Sequence, residues 1–380
     1  MKDNKFFSYK RILLALIGLT AGLNALACSE AFCNGYTKIV YPCISDVLGW
    51  LLGWIPFALG EIIMYAGAIA LVLLLILAIP AVLLRKRCEK FANWVRQYAK
   101  CCLMAAAVML LLYTTNWIVP FKSSYIGDGA SQKSYTVDQV EELRNFAAEG
   151  LVEAVFAVPR DENGYVVTPS KAEREEEVRK VMTAMAGRYP KLRGYYPPIK
   201  PAMCSGVLDL MRIGGYTYPF SMELTYNAYY AQNLYFSALY AHESCHHQGY
   251  YQEDEADFLS YIGCISSEDP YTRYSGYREF YFVIERVYER TLLEDMSKED
   301  AIERIKAQPV QMPEIVWFDL QHEAEIEKEL KENALIKIPE KVASTAVSVG
   351  DTGWSVQEKV LKEHYYSGSV ALLLDWYFSR

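Results

Sequence analysis

Histidine and cysteine are scarce in this sequence, which has five histidines and nine cysteines among 380 residues. The cysteines form neither a CxxC pair nor a four-cysteine zinc pattern, so a structural zinc finger is not supported. They are also too few for a disulfide scaffold of this size. A net charge of −8, without a basic stripe outside the first 100 residues, argues against nucleic acid as a partner. Internal repeats and low-complexity tracts are absent, which leaves ordinary folded domains.

Long apolar runs are confined to the first 120 residues. About 20 apolar residues in a helix cross the roughly 30 Å hydrocarbon core of a bilayer. Three runs are therefore predicted as transmembrane helices, at approximately residues 11–28, 62–84 and 101–119. The "ALA" that precedes Cys28 leaves a second interpretation of the first run open, in which it is a cleaved signal peptide.

Basic residues are unevenly distributed around these runs. They precede the first run and fill the loop at residues 85–100, whereas Lys38 is the sole basic residue between the first and second runs. The positive-inside rule therefore places the N-terminus and the 85–100 loop in the cytoplasm. We expect a multi-pass protein of the inner or plasma membrane, with the lipid bilayer as a partner and everything after residue 120 outside the cytoplasm.

The remaining chain predicts a mainly helical α+β domain. Residues 121–135 are polar and rich in Gly and Ser, which indicates a linker between a membrane region at 1–120 and a second domain at 136–380. Helices are predicted after Thr136 and near Ser170, which are suitable N-caps. Apolar residues alternate with polar ones up to Tyr226, which predicts a strand at 216–226, and Pro219 favours an edge position for it.

Residues 239–259, "LYAHESCHHQGYYQEDEADFL", hold three of the five histidines and a dense acidic run. His242 and His246 are four residues apart, so on a helix both imidazoles share a face and can bind one ion. Glu243 lies one residue round, where its carboxylate can take a proton from a zinc-bound water whose pKa is lowered towards 7. This HExxH pattern is short, and the alternative explanation is a polar helix with fortuitous spacing.

Two glutamates are candidates for a third zinc ligand, Glu253 and Glu255. Gly249 can end the motif helix, and the acidic run then opens a new one. Glu253 lies one turn before Asp257, which could accept a hydrogen bond from the remote nitrogen of a ligating histidine. Glu255 has Leu259 at that spacing instead. We favour Glu253, with Glu255 as the alternative ligand and Asp257 as the supporting acid.

Other polar residues near the motif have simpler interpretations. His247 points roughly 100° away from its neighbour His246 on a helix, which predicts a surface or packing role. His322 and His364 lie on late, charged helices and are expected to be solvated or capped. Tyr226 or Tyr229 could donate a hydrogen bond to a tetrahedral intermediate.

The segments "HESCHH" and "EDEAD" resemble the gluzincin metallopeptidases, in which HExxH supplies two ligands and a downstream ExxxD supplies a glutamate and a supporting aspartate. With three N-terminal spans and "GGYTYPFSMELTYN", most of the chain is similar to the DUF3810 family of bacterial membrane proteins, placed with the zincin-type peptidases. The resemblance implies a zincin fold, Zn²⁺ and peptide-bond hydrolysis. It also implies that a peptide substrate pairs with the edge strand at 216–226. The gap of seven residues from His246 to Glu253 is shorter than in typical gluzincins.

We therefore expect a membrane-anchored zinc metalloendopeptidase with Glu243 as its general base and His242, His246 and Glu253 as its metal ligands. The alternative is a non-catalytic envelope protein that uses a zincin-like domain to bind a peptide or another partner. The presence of Glu243 argues against that alternative, because binding alone needs no general base.

Overall fold

The computed structural model describes residues 3–127, 135–334 and 367–379 and divides into two units. The first unit comprises Met1–Ser124 and the short segment Tyr218–Glu223. The second comprises Tyr125–Thr217 and Leu224–Arg380. Part of the predicted linker at 121–135 lies outside the described residues.

The first unit is helical. Its helices are α1 (Asp3–Leu26), α2 (Glu30–Ile39), α3 (Tyr41–Gly53), α4 (Leu59–Leu83), α5 (Glu89–Tyr113) and α6 (Val119–Phe121), with a π-helical turn at Thr114–Ile118 between α5 and α6. Three segments of the described chain are long and apolar enough to cross a membrane: Tyr9–Leu26, Leu59–Leu83 and Glu89–Phe121. They overlap the three predicted runs. The third is longer than predicted, because the polar residues after Glu89 continue the same helix without a breaker.

The N-terminus of α4 shows how a distant residue can complete a helix. Ala58 precedes the helix and offers no side-chain cap. The backbone amides of Leu59 and Gly60 instead donate to the carboxylate of Glu223, at 3.1 and 2.8 Å. A carboxylate there satisfies free N–H groups and complements the positive end of the helix dipole. Gly60 must lack a side chain, because a Cβ would lie 2.5 Å from the ring of Tyr218.

The second unit is mainly helical as well. Its helices are α7 (Val137–Ala157), α8 (Lys171–Ala184), α9 (Ser205–Leu210), α10 (Phe236–His247), α11 (Glu253–Ile265), α12 (Pro270–Asp295), α13 (Lys298–Lys306), α14 (Glu314–Glu332) and α15 (Ser367–Phe378). Thr136 and Ser170 cap α7 and α8 as predicted, and each forms a capping box with the residue three positions on.

The small sheet contains the strands β1 (Lys200–Pro201), β2 (Gly215–Tyr218) and β3 (Glu223–Tyr226) in the order β1-β3-β2. β1 runs parallel to β3. The predicted single strand at 216–226 is wrong, because the chain turns between β2 and β3, where Met222 adopts the left-handed conformation with φ 56°. The apolar alternation simply continues through this turn. All four residues of β3 are buried, as befits a central strand, and β1 and β2 are the two edge strands.

The core of the second unit forms where α10, α11 and α12 pack together, with α7 against α12. Gly150 permits the close approach of α7, because a Cβ at this position would lie 2.0 Å from the ring of Tyr277. Large aromatic side chains fill this core, among them Phe236, Tyr240 and Phe280, each fully buried. The packing surrounds α10 and so fixes the helix that carries the histidine motif.

Candidate metal centre

The histidine motif lies on α10, and the chain reverses directly after it. Gly249 adopts φ 93°, a conformation that favours glycine, and ends the helix as predicted. Backbone amides of Gly249 and Tyr250 donate to the carbonyls of His246 and Cys245, at 3.0 and 2.9 Å. This tight ending leads within a few residues into α11, which begins at Glu253. The first turn of α11 therefore returns its acidic residues to the last turns of α10.

α10 is buried on almost every side. Every residue of the helix except His242 is buried. The His242 side chain keeps 13% of its surface exposed, and that of Glu253 keeps 27%. His242 and Glu253 are thus the parts of this group that reach solvent.

Three side-chain atoms converge on one point beside α10. Nε2 of His242 lies 3.1 Å from Nε2 of His246 and 3.2 Å from Oε2 of Glu253. The third separation, from His246 Nε2 to Glu253 Oε2, is 3.6 Å. Ligands about 2.0–2.1 Å from a tetrahedral zinc ion lie about 3.3 Å from one another. The three atoms are therefore spaced as the ligands of such an ion, and among the described residues they form a group able to hold a metal.

The second nitrogen of each imidazole is held by a separate acceptor. Nδ1 of His242 lies 2.9 Å from a carboxylate oxygen of Asp257, and Nδ1 of His246 lies 2.8 Å from the carbonyl oxygen of Tyr250. Each acceptor favours the tautomer with a proton on Nδ1, which leaves the lone pair of Nε2 directed at the common point. The structure thus places Asp257 where the sequence predicts it. The role of the Tyr250 carbonyl could not be predicted from the sequence, because every residue has a backbone carbonyl.

Glu255, the alternative third ligand, does not join this group. Its carboxylate accepts a hydrogen bond from the backbone amide of Ile126 at 2.6 Å and is buried. Two residues along a helix correspond to about 200°, so Glu255 leaves α11 on the side opposite Glu253. Glu253 therefore lies beside the two histidines, whereas Glu255 contacts the backbone of Ile126.

The charges of the centre depend on one another. Burial disfavours a charged imidazole, but the hydrogen bonds to Asp257 and Glu253 outweigh it and raise the pKa of His242 well above its usual value. For His246 burial is again outweighed, and the negative charge of Glu253 raises the pKa. Burial would raise the pKa of Glu253, yet the two imidazoles lower it. A metal ion would therefore replace a proton that the two histidines and Glu253 already hold between them.

Glu243 lies in the same centre but in a different environment. Its carboxylate is 4% exposed, and burial raises its pKa, an effect that the neighbouring charges of His246 and His242 oppose. One oxygen accepts a hydrogen bond from the hydroxyl of Thr217 at 2.7 Å. Thr217 belongs to β2, and the sequence gives no signal for this contact between distant segments.

The remaining histidines have packing roles or lie outside the described residues. His247 is fully buried, which favours the predicted packing role over a surface position. His322 stacks on the ring of Tyr165 with 3.7 Å between ring centres. His364 lies outside the described residues.

The two candidate tyrosine donors also make packing contacts. Tyr226 meets the ring of Phe236 edge-on, with 5.1 Å between ring centres. The ring of Tyr229 lies 5.8 Å from the ammonium group of Lys331. A donor role for either tyrosine stays a prediction.

Comparison with known proteins gives a family and no activity. The family model described as "Protein of unknown function (DUF3810)" matches residues 36–341, which is most of the chain and includes the histidine motif. No curated protein and no solved structure matches the sequence significantly. Inference about function therefore depends on the geometry of the centre.

Proposed function

The chain belongs to the DUF3810 family, and we propose that it is a membrane-anchored, zinc-dependent peptidase. The observation that carries this proposal is the convergence of Nε2 of His242, Nε2 of His246 and Oε2 of Glu253 at separations of 3.1, 3.2 and 3.6 Å. Glu243, whose carboxylate is buried, directly follows the ligand His242 in the chain. Two histidines and one glutamate form a known ligand set of catalytic zinc sites, in which a fourth position stays open.

The bound ion supplies one kind of chemistry. Zn²⁺ held by His242, His246 and Glu253 would supply Lewis-acid chemistry, which makes water more acidic and a peptide carbonyl more electrophilic. Asp257 and the Tyr250 carbonyl keep the two imidazoles in the tautomer that presents Nε2. A ligand set held in this way needs little rearrangement when it binds a metal.

Glu243 moves the protons of the reaction. Its carboxylate accepts one proton from the attacking water and returns it to the nitrogen of the leaving amine. Acceptance requires the ionised form, which the charges of His246 and His242 favour although burial is the larger effect and raises the pKa of Glu243. The hydroxyl of Thr217 holds one carboxylate oxygen, at 2.7 Å, so the second oxygen is the one available for transfer.

We further propose that a peptide substrate lies along β2. This strand is at the edge of the sheet and carries Thr217, which contacts Glu243. An extended peptide can add to such an edge through backbone hydrogen bonds. The binding strand proposed here is Gly215–Tyr218, shorter than the segment that the sequence predicts. The asymmetry of basic residues supports a multi-pass arrangement with this domain outside the cytoplasm.

Substitution of the base tests the proposed chemistry. Full-length protein in detergent, loaded with one equivalent of zinc, is incubated with a pool of quenched fluorescent peptides of mixed sequence. Glu243→Gln should retain zinc and lose cleavage by orders of magnitude, because it keeps the shape of the side chain and removes the proton acceptor. Glu268→Gln, at an exposed residue between α11 and α12, is the matched control and should cleave at the wild-type rate.

Two outcomes would contradict the proposal. A Glu243→Gln variant that cleaves the same peptides as fast as the wild type would exclude Glu243 as the base. Wild-type protein that binds zinc and cleaves no member of the pool would favour the non-catalytic alternative, in which the domain binds a peptide or partner.

A further inference from the structure

We infer that Thr217 is a positioning residue for the general base, and that Gly215 keeps the space beside it clear. The Thr217 hydroxyl fixes one oxygen of the Glu243 carboxylate, while the absence of a side chain at Gly215 leaves room for the other. Thr217 has this role only if Glu243 accepts a proton, so the inference rests on the proposed function.

Thr217 meets Glu243 across a long stretch of sequence. The threonine is 2% exposed, and its Oγ1 lies 2.7 Å from Oε2 of Glu243 and 3.2 Å from the backbone carbonyl oxygen of the same residue. A hydroxyl has one proton to donate. The carboxylate is both nearer and charged, and hydrogen bonds to a charged acceptor are shorter and stronger than those to a neutral one. The proton is therefore donated to Oε2.

Gly215 lies beside the other oxygen of the same carboxylate. A Cβ at this position would lie 2.8 Å from Oε1 and 3.0 Å from Cγ of Glu243, and 2.6 Å from the carbonyl oxygen of Thr225. The Thr225 carbonyl is backbone and cannot move away easily, so a side chain here would displace the Glu243 carboxylate. Positions 215 and 217 are two residues apart on a strand and project to the same face. β2 thus presents a hydrogen-bond donor and an open space to one side chain of α10.

This arrangement gives the two oxygens of the Glu243 carboxylate different roles. The last torsion of a glutamate side chain is broad, so an unsupported carboxylate rotates readily. Thr217 stops that rotation by holding Oε2, and Oε1 keeps a fixed direction for receiving the proton. Glu243 is also too buried for water to replace the hydroxyl fully. Loss of the donor should therefore affect the function of Glu243 and leave the metal ligands, which Thr217 does not hold, unchanged.

Two substitutions separate the hydroxyl from the shape of the side chain. Thr217→Val keeps the branched outline and favours a strand, but it has no proton to donate. Thr217→Ser keeps the hydroxyl and loses a methyl group. The variants are prepared as zinc-loaded, full-length protein in detergent, with Glu243→Gln as reference. Zinc affinity is measured first and should equal that of the wild type in all three.

The probe is acetohydroxamate, a small metal chelator. Acetohydroxamic acid binds zinc as its anion, so the hydroxyl proton is transferred to a base in the site, here Glu243, and no oxidant or further reactant is needed. The hydrogen bond from Thr217 stabilises the ionised carboxylate more than the protonated one, because a hydrogen bond to a charged acceptor is about twice as strong as one to a neutral acceptor, a difference of about tenfold in an equilibrium. Where Glu243 is ionised, Thr217→Val should therefore tighten acetohydroxamate binding about tenfold, because the carboxylate that accepts the proton is no longer stabilised in its charged form. Thr217→Ser should stay within about threefold of the wild type. With a cleaved peptide, kcat should fall by a similar factor while KM stays unchanged.

Each result decides the matter. Wild-type affinity for acetohydroxamate in Thr217→Val overturns the inference and leaves the proposed function intact. An equal change of affinity in Thr217→Val and Thr217→Ser also overturns it, because a variant that keeps the hydroxyl would then behave like one that lacks it. Wild-type protein that binds no zinc overturns the proposed function, and this inference with it.

Discussion

Replacement of Glu253 by glutamine removes the one negative charge among the three converging ligand atoms. Glutamine has the same shape, so the separations of 3.2 and 3.6 Å from the two imidazoles need not change. A neutral amide oxygen is nevertheless a weaker zinc ligand than a carboxylate. Loss of a residue that only supports a ligand weakens metal binding about 10- to 100-fold, which corresponds to about 1.4–2.8 kcal/mol. Glu253→Gln should exceed that range, because it alters a ligand itself.

The proton of the centre partly offsets this loss. Glu253 helps to raise the pKa of both histidines, so the wild type must release a proton to bind zinc near neutral pH. In Glu253→Gln the pKa values of His242 and His246 fall, so protons compete less with zinc for the two imidazoles. The difference between wild type and variant should therefore widen as the pH is raised above the histidine pKa values. Titration of full-length protein against a competing chelator, at pH 7 and at a higher pH, measures both effects.

Two further variants complete this experiment. Glu255→Gln should keep one equivalent of zinc, because an amide oxygen can still accept the hydrogen bond from Ile126. The zinc affinity of Asp257→Asn should lie between those of Glu253→Gln and Glu255→Gln, about 10- to 100-fold below the wild type. Retention of zinc in Glu253→Gln together with its loss in Glu255→Gln would refute the assignment of the third ligand.

Three other predictions concern stability, pH and topology. Gly150→Ala should lower the free energy of unfolding by about 1–3 kcal/mol, because a Cβ 2.0 Å from the Tyr277 ring overpacks the core and this cost outweighs the helix propensity of alanine. Chemical denaturation measures the change, with Gly187→Ala as the control, since a Cβ there has no atom within 4 Å. A Gly150→Ala variant more stable than the wild type would contradict the packing. Zinc affinity of the wild type should fall as the pH drops through the raised pKa of His242, and a pH-independent affinity between pH 5 and 8 would exclude proton competition. A reporter active only in the cytoplasm should be silent when fused after Arg380 and active when fused near Glu89, and activity of the C-terminal fusion would overturn the extracytoplasmic placement.

Features encoded within a few neighbouring residues could be predicted from the sequence. The caps Thr136 and Ser170 and the helix end at Gly249 depend on local hydrogen bonds and backbone conformation, and the structure shows all three. The spacing of His242, His246 and Glu253 is local too, since two short helices and one tight turn connect them. Their convergence could therefore be expected from helical geometry alone.

The strand expected at 216–226 is wrong for a local reason: the apolar alternation continues through a turn in which the Ser221 amide donates to the Tyr218 carbonyl at 3.2 Å. Pro219 occupies the second position of that turn, where proline is favoured, so it marks the turn rather than an edge strand.

Features that depend on distant segments could not be predicted. The contact of Thr217 with Glu243 and the capping of α4 by Glu223 join residues that are far apart in the chain. The burial of α10 on nearly all sides likewise depends on helices that surround it.

That burial bears on the choice between a metal centre and a polar helix with fortuitous spacing. A helix that is polar by chance should turn its charged residues to water, because burial of an unpaired charge is costly. Glu243 and His246 are instead buried at 4% and 5% exposure. Titratable groups surround them: Glu253 raises the pKa of His246 and the two imidazoles lower the pKa of Glu253, and such perturbed pKa values are common in functional sites. An ion held by the two histidines and Glu253 would balance the negative charges that Glu253, Asp257 and Glu243 bring to one place, and this balance supports the metal-centre proposal over the alternative.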